Sequence, residues 1–384
     1  MQVYADYSAT TPVAPRVIEE MMTVYHTAYG NPSSIHKIGR EARQIIDQSR
    51  RQIAGVLNAR PKEILFTSGA TESNNTAIKG AAYKNQHLGR HLITTQVEHH
   101  SVLHVFEYLE KQGFDVTYLP VDRYGVVQLT DFKAALRPDT ILVSIMFGNN
   151  EVGAIQPVDD IGELLDGHQA LFHVDAVQTA GHLPIDVKEL KVDMLSLTAH
   201  KFYGPKGVGL LYIKQGTAIE YSQLGGSQET KRRAGTENVP LIKGMAVALT
   251  EAADQLDHHN IRLTQLKEYF LHSLQQRAVP FEMNGDKNMQ LAHIMNLYFP
   301  FSDVELMLTL LDMAGVYVSS GSACTAGSIE PSHVLTAMFG EDPRTKRSIR
   351  FSFGHEMTEE QLDYMADQLL KIYEMTKERS GYNG

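Results

Sequence analysis

The chain has 384 residues, 43% of them hydrophobic and 21% charged, with a formal net charge of −10 and a single cysteine. The acidic balance leaves no basic field for a phosphate backbone, so direct nucleic-acid binding is not expected, and one cysteine excludes an internal disulfide. No run approaches the ~18 consecutive apolar residues of a membrane span, and the residues leading to Asp6 show no charged-then-apolar signal pattern, so no membrane partner and a cytoplasmic location are expected.

From about residue 36 to 260, short β-rich runs alternate with segments of helical period, as in a parallel α/β sheet. The predicted strands are Glu63 to Phe66, Leu92 to Thr95, Val116 to Leu119, Ile141 to Met146, Leu171 to Asp175, Met194 to Thr198 and Val208 to Ile213. Among the intervening segments, Ile38, Ala42, Ile45, Ile46, Ile53 and Val56 repeat at a helical spacing that places them on one face. Beyond an apolar helix around Ile242 to Leu256, long helices are separated by isolated strands at His293 to Phe299 and Ser348 to Phe353. The expected fold is therefore α/β, with a large, mainly parallel-sheet domain over 15–255. A smaller α+β domain is expected from 1–14 and 256–384, carrying the loop 319–328. No internal repeat or low-complexity tract is present.

Ligands of open α/β sheets bind outside the carboxyl ends of the strands, so the residues after each predicted strand are the place to look for chemistry. Thr67 to Asn75 form a small-residue turn entering a helix, whose free N–H groups suit a phosphate or serve only as a cap. The strand ending at Asp175 delivers a carboxylate, with Gln178 in the next turn. An ionised Asp at such a place keeps a pyridine ring protonated and electron-withdrawing. One strand later the chain reaches Lys201, a candidate for covalent attachment of a cofactor aldehyde.

The segments His173 to Gln178, Ala199-His200-Lys201 and Gly321-Ser322-Ala323-Cys324-Thr325 resemble the cysteine desulfurases of the NifS and IscS type, which are fold-type I enzymes of the class V aminotransferase family. The resemblance spans nearly the whole chain. Further matching pieces, in order, are Ala9 to Pro12, Gly30 to Ser34, Ser68 to Asn75, Glu98-His99, Asn149 to Gly153, Arg233 to Asn238 and Ser348 to Ser352. Departures are small: Tyr7-Ser8 stands where Ala or Asn and His are commoner, and Thr198 where Ser is frequent. The spacing from Cys324 to Arg350 resembles that of the group with an extended cysteine loop.

The resemblance implies pyridoxal 5'-phosphate as cofactor, held covalently by Lys201, with Asp175 at the ring nitrogen, Gln178 at the phenolic oxygen and His99 stacked on the ring. It assigns the phosphate to Ala70, Thr71, Thr198 and His200, joined by Thr236 from the partner subunit of a homodimer. Asn150, which also contributes to the cofactor site, and Arg350 would hold the carboxylate of L-cysteine. Lys201 would move the Cα proton, with His99 a candidate proton relay. Cys324 would take the sulfur as a persulfide, release L-alanine, and pass sulfur to an acceptor protein, either an iron–sulfur scaffold or a tRNA-thiolation enzyme.

The cysteine's surroundings support such a role independently. Residues 319–328 are almost all small and include two glycines, a composition unlike that around a packed core thiol. Selenocysteine lyase and class V aminotransferase are the alternative activities, and an interaction protein that keeps the fold as scaffold is the alternative class. His99, His100 and His104 are also weighed as metal ligands, but no accompanying Cys or acidic pair stands at metal-site spacing, and no metal is expected.

Overall fold

The computed structural model describes residues 1–320 and 331–380. Among them the strands are β1 (Val3–Tyr4), β2 (Ile64–Thr67), β3 (His91–Thr95), β4 (Asp115–Leu119), β5 (Thr140–Met146), β6 (Leu171–Asp175), β7 (Met194–Thr198), β8 (Gly209–Ile213), β9 (Glu282–Asn284), β10 (Ile294–Tyr298), β11 (Val316–Tyr317) and β12 (Ser348–Ser352). Nine of these coincide within a residue or so with the runs read from the sequence, and the unanticipated three are β1, β9 and β11, each two or three residues long.

A seven-stranded sheet has the order β2-β8-β7-β6-β5-β3-β4. Its centre is parallel, but β8 runs antiparallel to both β7 and β2. The two faces of the sheet are read out by side-chain alternation. Ile64, Phe66, Leu195, Leu197, Leu210 and Tyr212 enter one core, and Leu65, Met194, Leu211 and Ile213 enter the other. Both faces are covered by helices, so these strands are buried along their whole length. The helix Lys37–Val56 buries Ala42, Ile46 and Ile53 against the first core, on the face expected from their spacing.

A separate core joins Val3, Ala5 and Tyr7 to residues between Leu263 and Ile372. It is built around the antiparallel sheet β12-β10-β9 and a ring cluster in which Phe270 meets Phe351 and Phe353 at 5.3 and 5.7 Å. Each fully buried Phe contributes roughly 1.5–3 kcal/mol of transfer free energy. β1 pairs in parallel with β11, and the chain after it runs beside β12, with Ser352 N donating to Ala5 O at 2.8 Å. Residues 6–12 thus leave this core and pass towards the large sheet, where Thr11 N donates to His200 O at 2.9 Å. No helix among the described residues is long and apolar enough to cross a membrane.

Candidate active site

A cavity of about 720 Å³ opens at the carboxyl ends of β2, β3, β5, β6 and β7, the place where an open α/β sheet leaves backbone groups and side chains free for a ligand. That volume lies in the range of small-molecule sites. Its wall includes Ala70, Thr71, His99, Asn150, Asp175, Gln178, Thr198, His200, Lys201 and Arg350. Ten of the twelve residues singled out in the sequence therefore meet in one place. Thr236 does not line this cavity and is exposed. Cys324 lies outside the described residues.

The phosphate-like end is formed by the start of the helix Ala70–Asn85, whose first intrahelical bond is Ser73 N to Gly69 O at 3.1 Å. The amides of Ala70 and Thr71 precede it, so they have no carbonyl to meet within the helix and are free for an anion. The turn before this helix lies hard against β8. A Cβ on Gly209 would stand 2.7 Å from Gly69 Cα, so only glycine allows the approach.

Asp175 is 5% exposed and held on both oxygens: Asn74 Nδ2 donates to Oδ2 at 2.8 Å, and Val177 N to Oδ1 at 3.0 Å. Asn74 also donates to Ser101 Oγ at 2.9 Å, which sits 2.9 Å from His99 Nδ1. His99 caps the helix His100–Lys111 by accepting from Ser101 N at 3.1 Å through Nδ1. In the neutral ring the proton therefore belongs to Nε2. Burial among protein groups lowers the basicity of His99, with Asp175 opposing, which keeps the neutral form favoured.

Lys201 follows β7 on a short 3₁₀ turn and donates from Nζ to Ser8 O at 2.5 Å and Ala9 O at 3.0 Å. Burial, followed by the charge of Arg350, lowers its pKa from 10.5 to about 8, against the opposing pull of Asp6 and Asp175. An amine of that kind is partly neutral near physiological pH, the form that attacks a carbonyl. Gln178 Nε2 donates to the same Ser8 carbonyl at 2.9 Å, and His200 Nδ1 lies 3.2 Å from Thr10 Oγ1. At the far end Arg350 Nη1 donates to Asn150 O at 3.0 Å and Nη2 pairs with Asp6 Oδ1 at 2.7 Å.

Several residues in this arrangement were not assigned a role from the sequence. Ser8 and Ala9 act through backbone carbonyls, which no side-chain pattern reveals. Glu98 and Glu151 are buried carboxyls; Glu151 lines the cavity, and Glu98 precedes His99, which does. Glu151 bonds Ser332 Oγ, while His333 Nε2 meets Glu98 O at 2.9 Å, which ties the start of the helix His333–Phe339 to the site. His100 lies against His104 and His333 at ring distances of 5.0 and 4.7 Å, and no group of three or more His, Cys, Asp and Glu among the described residues is arranged to hold a metal.

The chain matches the Aminotransferase class-V family over residues 3–365. A Dictyoglomus turgidum protein named cysteine desulfurase IscS is 48% identical over 381 residues, covering 99% of this chain and 97% of the relative. A solved NifS-like protein superposes with a TM-score of 0.92 at 39% identity, covering 98% of this chain and 100% of that one. A second solved structure, SspA in complex with cysteine, gives 0.81 at 37% identity over 93% of this chain and 100% of that one.

Glu98 makes the electrostatics of the site testable. Its Oε1 accepts from Thr95 Oγ1 and Met146 N, both at 2.9 Å, and its Oε2 has no partner among the described residues. Burial, with a smaller push from Asp175, raises the carboxyl from 4.5 to about 8. The folded protein thus holds a proton that the unfolded chain has released, and this contribution is full below pH 4.5 and is lost as pH rises through about 8. Glu98→Gln, neutral at every pH, is expected to melt higher relative to wild type at about pH 9 than at about pH 5, the two curves diverging over that window. Parallel curves from thermal melts across the range would show that Glu98 is ionised in the folded state.

Proposed function

The chain belongs to the class-V aminotransferase family, and on that premise we propose that it is a pyridoxal-phosphate-dependent cysteine desulfurase, converting L-cysteine to L-alanine and holding the sulfur on Cys324. The observation that carries this reading is the convergence of Lys201, Asp175 and Arg350 on one cavity, an amine, a carboxylate and a guanidinium each with a separate task.

The residues present fit the cofactor. Free amides at the start of the helix Ala70–Asn85 suit its phosphate, joined by Thr198 and His200. Asp175, oriented by Asn74 and Val177, suits its ring nitrogen, while Gln178 and His99 suit the phenolic oxygen and the ring face. Lys201, with its lowered basicity, suits covalent attachment. When bound, pyridoxal phosphate supplies an aldehyde for the substrate amine and a ring that accepts electron density from Cα.

The chain's own groups do the rest. Arg350 and Asn150 hold the substrate carboxylate, for which the guanidinium fork is geometrically suited. Lys201 takes the Cα proton as general base. Cys324 attacks the substrate sulfur as a thiolate; the sulfur–sulfur bond forms as the carbon–sulfur bond breaks, and its electron pair stays with the departing carbon, which is protonated to give alanine. His99, with its Nδ1 committed to Ser101, has Nε2 for moving protons between the thiols and solvent. The persulfide on Cys324 then passes its sulfur to an acceptor protein, an iron–sulfur scaffold or a tRNA-thiolation enzyme.

The reading includes a homodimer. Thr236 lies outside its own cavity and is exposed, as expected of a residue that completes a second copy's phosphate site. The helix Pro15–Thr27 and the turn after it expose Ile18, Met22, Tyr25 and Tyr29, an apolar stripe at helical spacing of the kind a partner covers. It also includes two domains, 15–255 and the combined segments 1–14 and 256–384, a division supported by the separate cores around the two sheets.

Cys324→Ser separates the steps. The variant is expected to exchange the Cα proton of L-cysteine with solvent, while releasing alanine at less than about one-hundredth of the wild-type rate and gaining no sulfur mass on the peptide holding residue 324. Alanine released by the variant at the wild-type rate would remove Cys324 from the reaction. Light scattering is expected to give the mass of two chains, and a single-chain mass with undiminished cofactor affinity would contradict the shared phosphate site.

A further inference from the structure

Three segments far apart in sequence meet at the substrate end of the cavity. The pairing of β1 with β11 brings residue 6 beside the end of β11, and Asp6 bridges Ser352 at the end of β12. Ser319, just past β11, bridges Arg350 on β12, with Arg350 N donating to Ser319 O at 2.8 Å. The backbone thus places Asp6, Ser319 and Arg350 together before any side chain is considered.

The side chains then engage both oxygens of the Asp6 carboxylate. Oδ1 accepts from Arg350 Nη2 at 2.7 Å and Oδ2 from Ser319 Oγ at 2.9 Å. Tyr4 OH holds the Asp6 carbonyl at 3.0 Å and the Thr10 carbonyl at 2.8 Å, which fixes the segment on both sides. Arg350 is 5% exposed, and a guanidinium so deeply placed requires a counter-charge and fixed acceptors to stay in one orientation. It has them on two nitrogens, Asp6 on Nη2 and the Asn150 carbonyl on Nη1. Its Nε is buried with no partner among the described residues, a donor that an incoming carboxylate would satisfy.

We propose that Asp6 is a positioning residue for substrate recognition: anchored by Ser319, it fixes the Arg350 fork in the orientation that receives the amino-acid carboxylate. This rests on the desulfurase reading and deepens it: the Asp6 side chain hydrogen-bonds Arg350 and Ser319 and reaches Lys201 only through its charge. Its effect is on affinity for ligands that carry a carboxylate.

The test compares wild type with Asp6→Ala, Asp6→Asn and Ser319→Ala in the cofactor-loaded protein, using L-cysteine kinetics together with calorimetric binding of L-alanine and of ethylamine, which lacks the carboxylate. Asp6→Ala is expected to raise KM for L-cysteine and Kd for L-alanine about tenfold or more, with kcat changed less than about threefold and ethylamine binding unmoved. Asp6→Asn keeps an acceptor for Arg350 and a polar partner for Ser319, and recovers most of the affinity. Ser319→Ala, which leaves the ion pair intact, gives a smaller loss in the same direction and keeps the comparison available if Asp6→Ala does not fold. The proposal is overturned if Asp6→Asn and Ser319→Ala bind L-alanine as wild type does while Asp6→Ala, folded, does too, or if the losses are equal for L-alanine and ethylamine. A wild-type protein that binds L-alanine but makes none from L-cysteine would instead overturn the desulfurase reading and leave the role of Asp6 standing.

Discussion

The site depends on an amine that is kept out of water and, among the described residues, is paired with backbone carbonyls rather than with a carboxylate. Lys201 Nζ rests on the carbonyls of Ser8 and Ala9, and burial brings its pKa down to about 8. A direct carboxylate contact would have raised its basicity and removed the nucleophile. The carbonyls are available because residues 6–12 cross from one core to the other, tied at one end to β12 and at the other to the backbone of His200. The same crossing segment supplies the Ser8 carbonyl to Gln178 and the Asp6 carboxylate to Arg350. One stretch of about seven residues therefore supports the groups that would serve the cofactor linkage, the ring and the substrate carboxylate, while leaving acid–base balance at Lys201 to more distant charges.

Much of this was legible in the sequence. Period-2 and period-3.6 patterns located the strands that matter, and the rule that ligands lie beyond strand carboxyl ends led directly to Asp175 and Lys201. The direction of β8 was not legible, since alternation is the same whichever way a strand runs. The two-residue strands β1 and β11 carry too few residues for any period, yet they set the position of Asp6. Ser8, Ala9 and Asp6 matter through contacts with residues about 170 to 344 positions away, which spacing along the chain cannot encode. Glu98 stood next to His99 in a recognised pair, but its neutral, fully enclosed carboxyl follows only from the packing around it.

Similar groups in and beside the cavity are held in different ways. Asp175 accepts a hydrogen bond on each oxygen, while Glu98, next to His99 in the chain, is fully buried with one oxygen unpartnered among the described residues, and burial raises its pKa to about 8. Arg350 is held by an ion pair and Lys201 by neutral carbonyls, and burial lowers the basicity of the lysine. That division suits a reaction in which one cation binds and the other transfers a proton.

Whether Lys201 carries the cofactor is decided by loading the protein with pyridoxal phosphate, reducing with borohydride and mapping the added mass by peptide sequencing. A single modified lysine is expected, Lys201, with Lys206 in the adjacent turn unmodified. Cofactor mass on Lys206, or on any other lysine while Lys201 remains free, would contradict it.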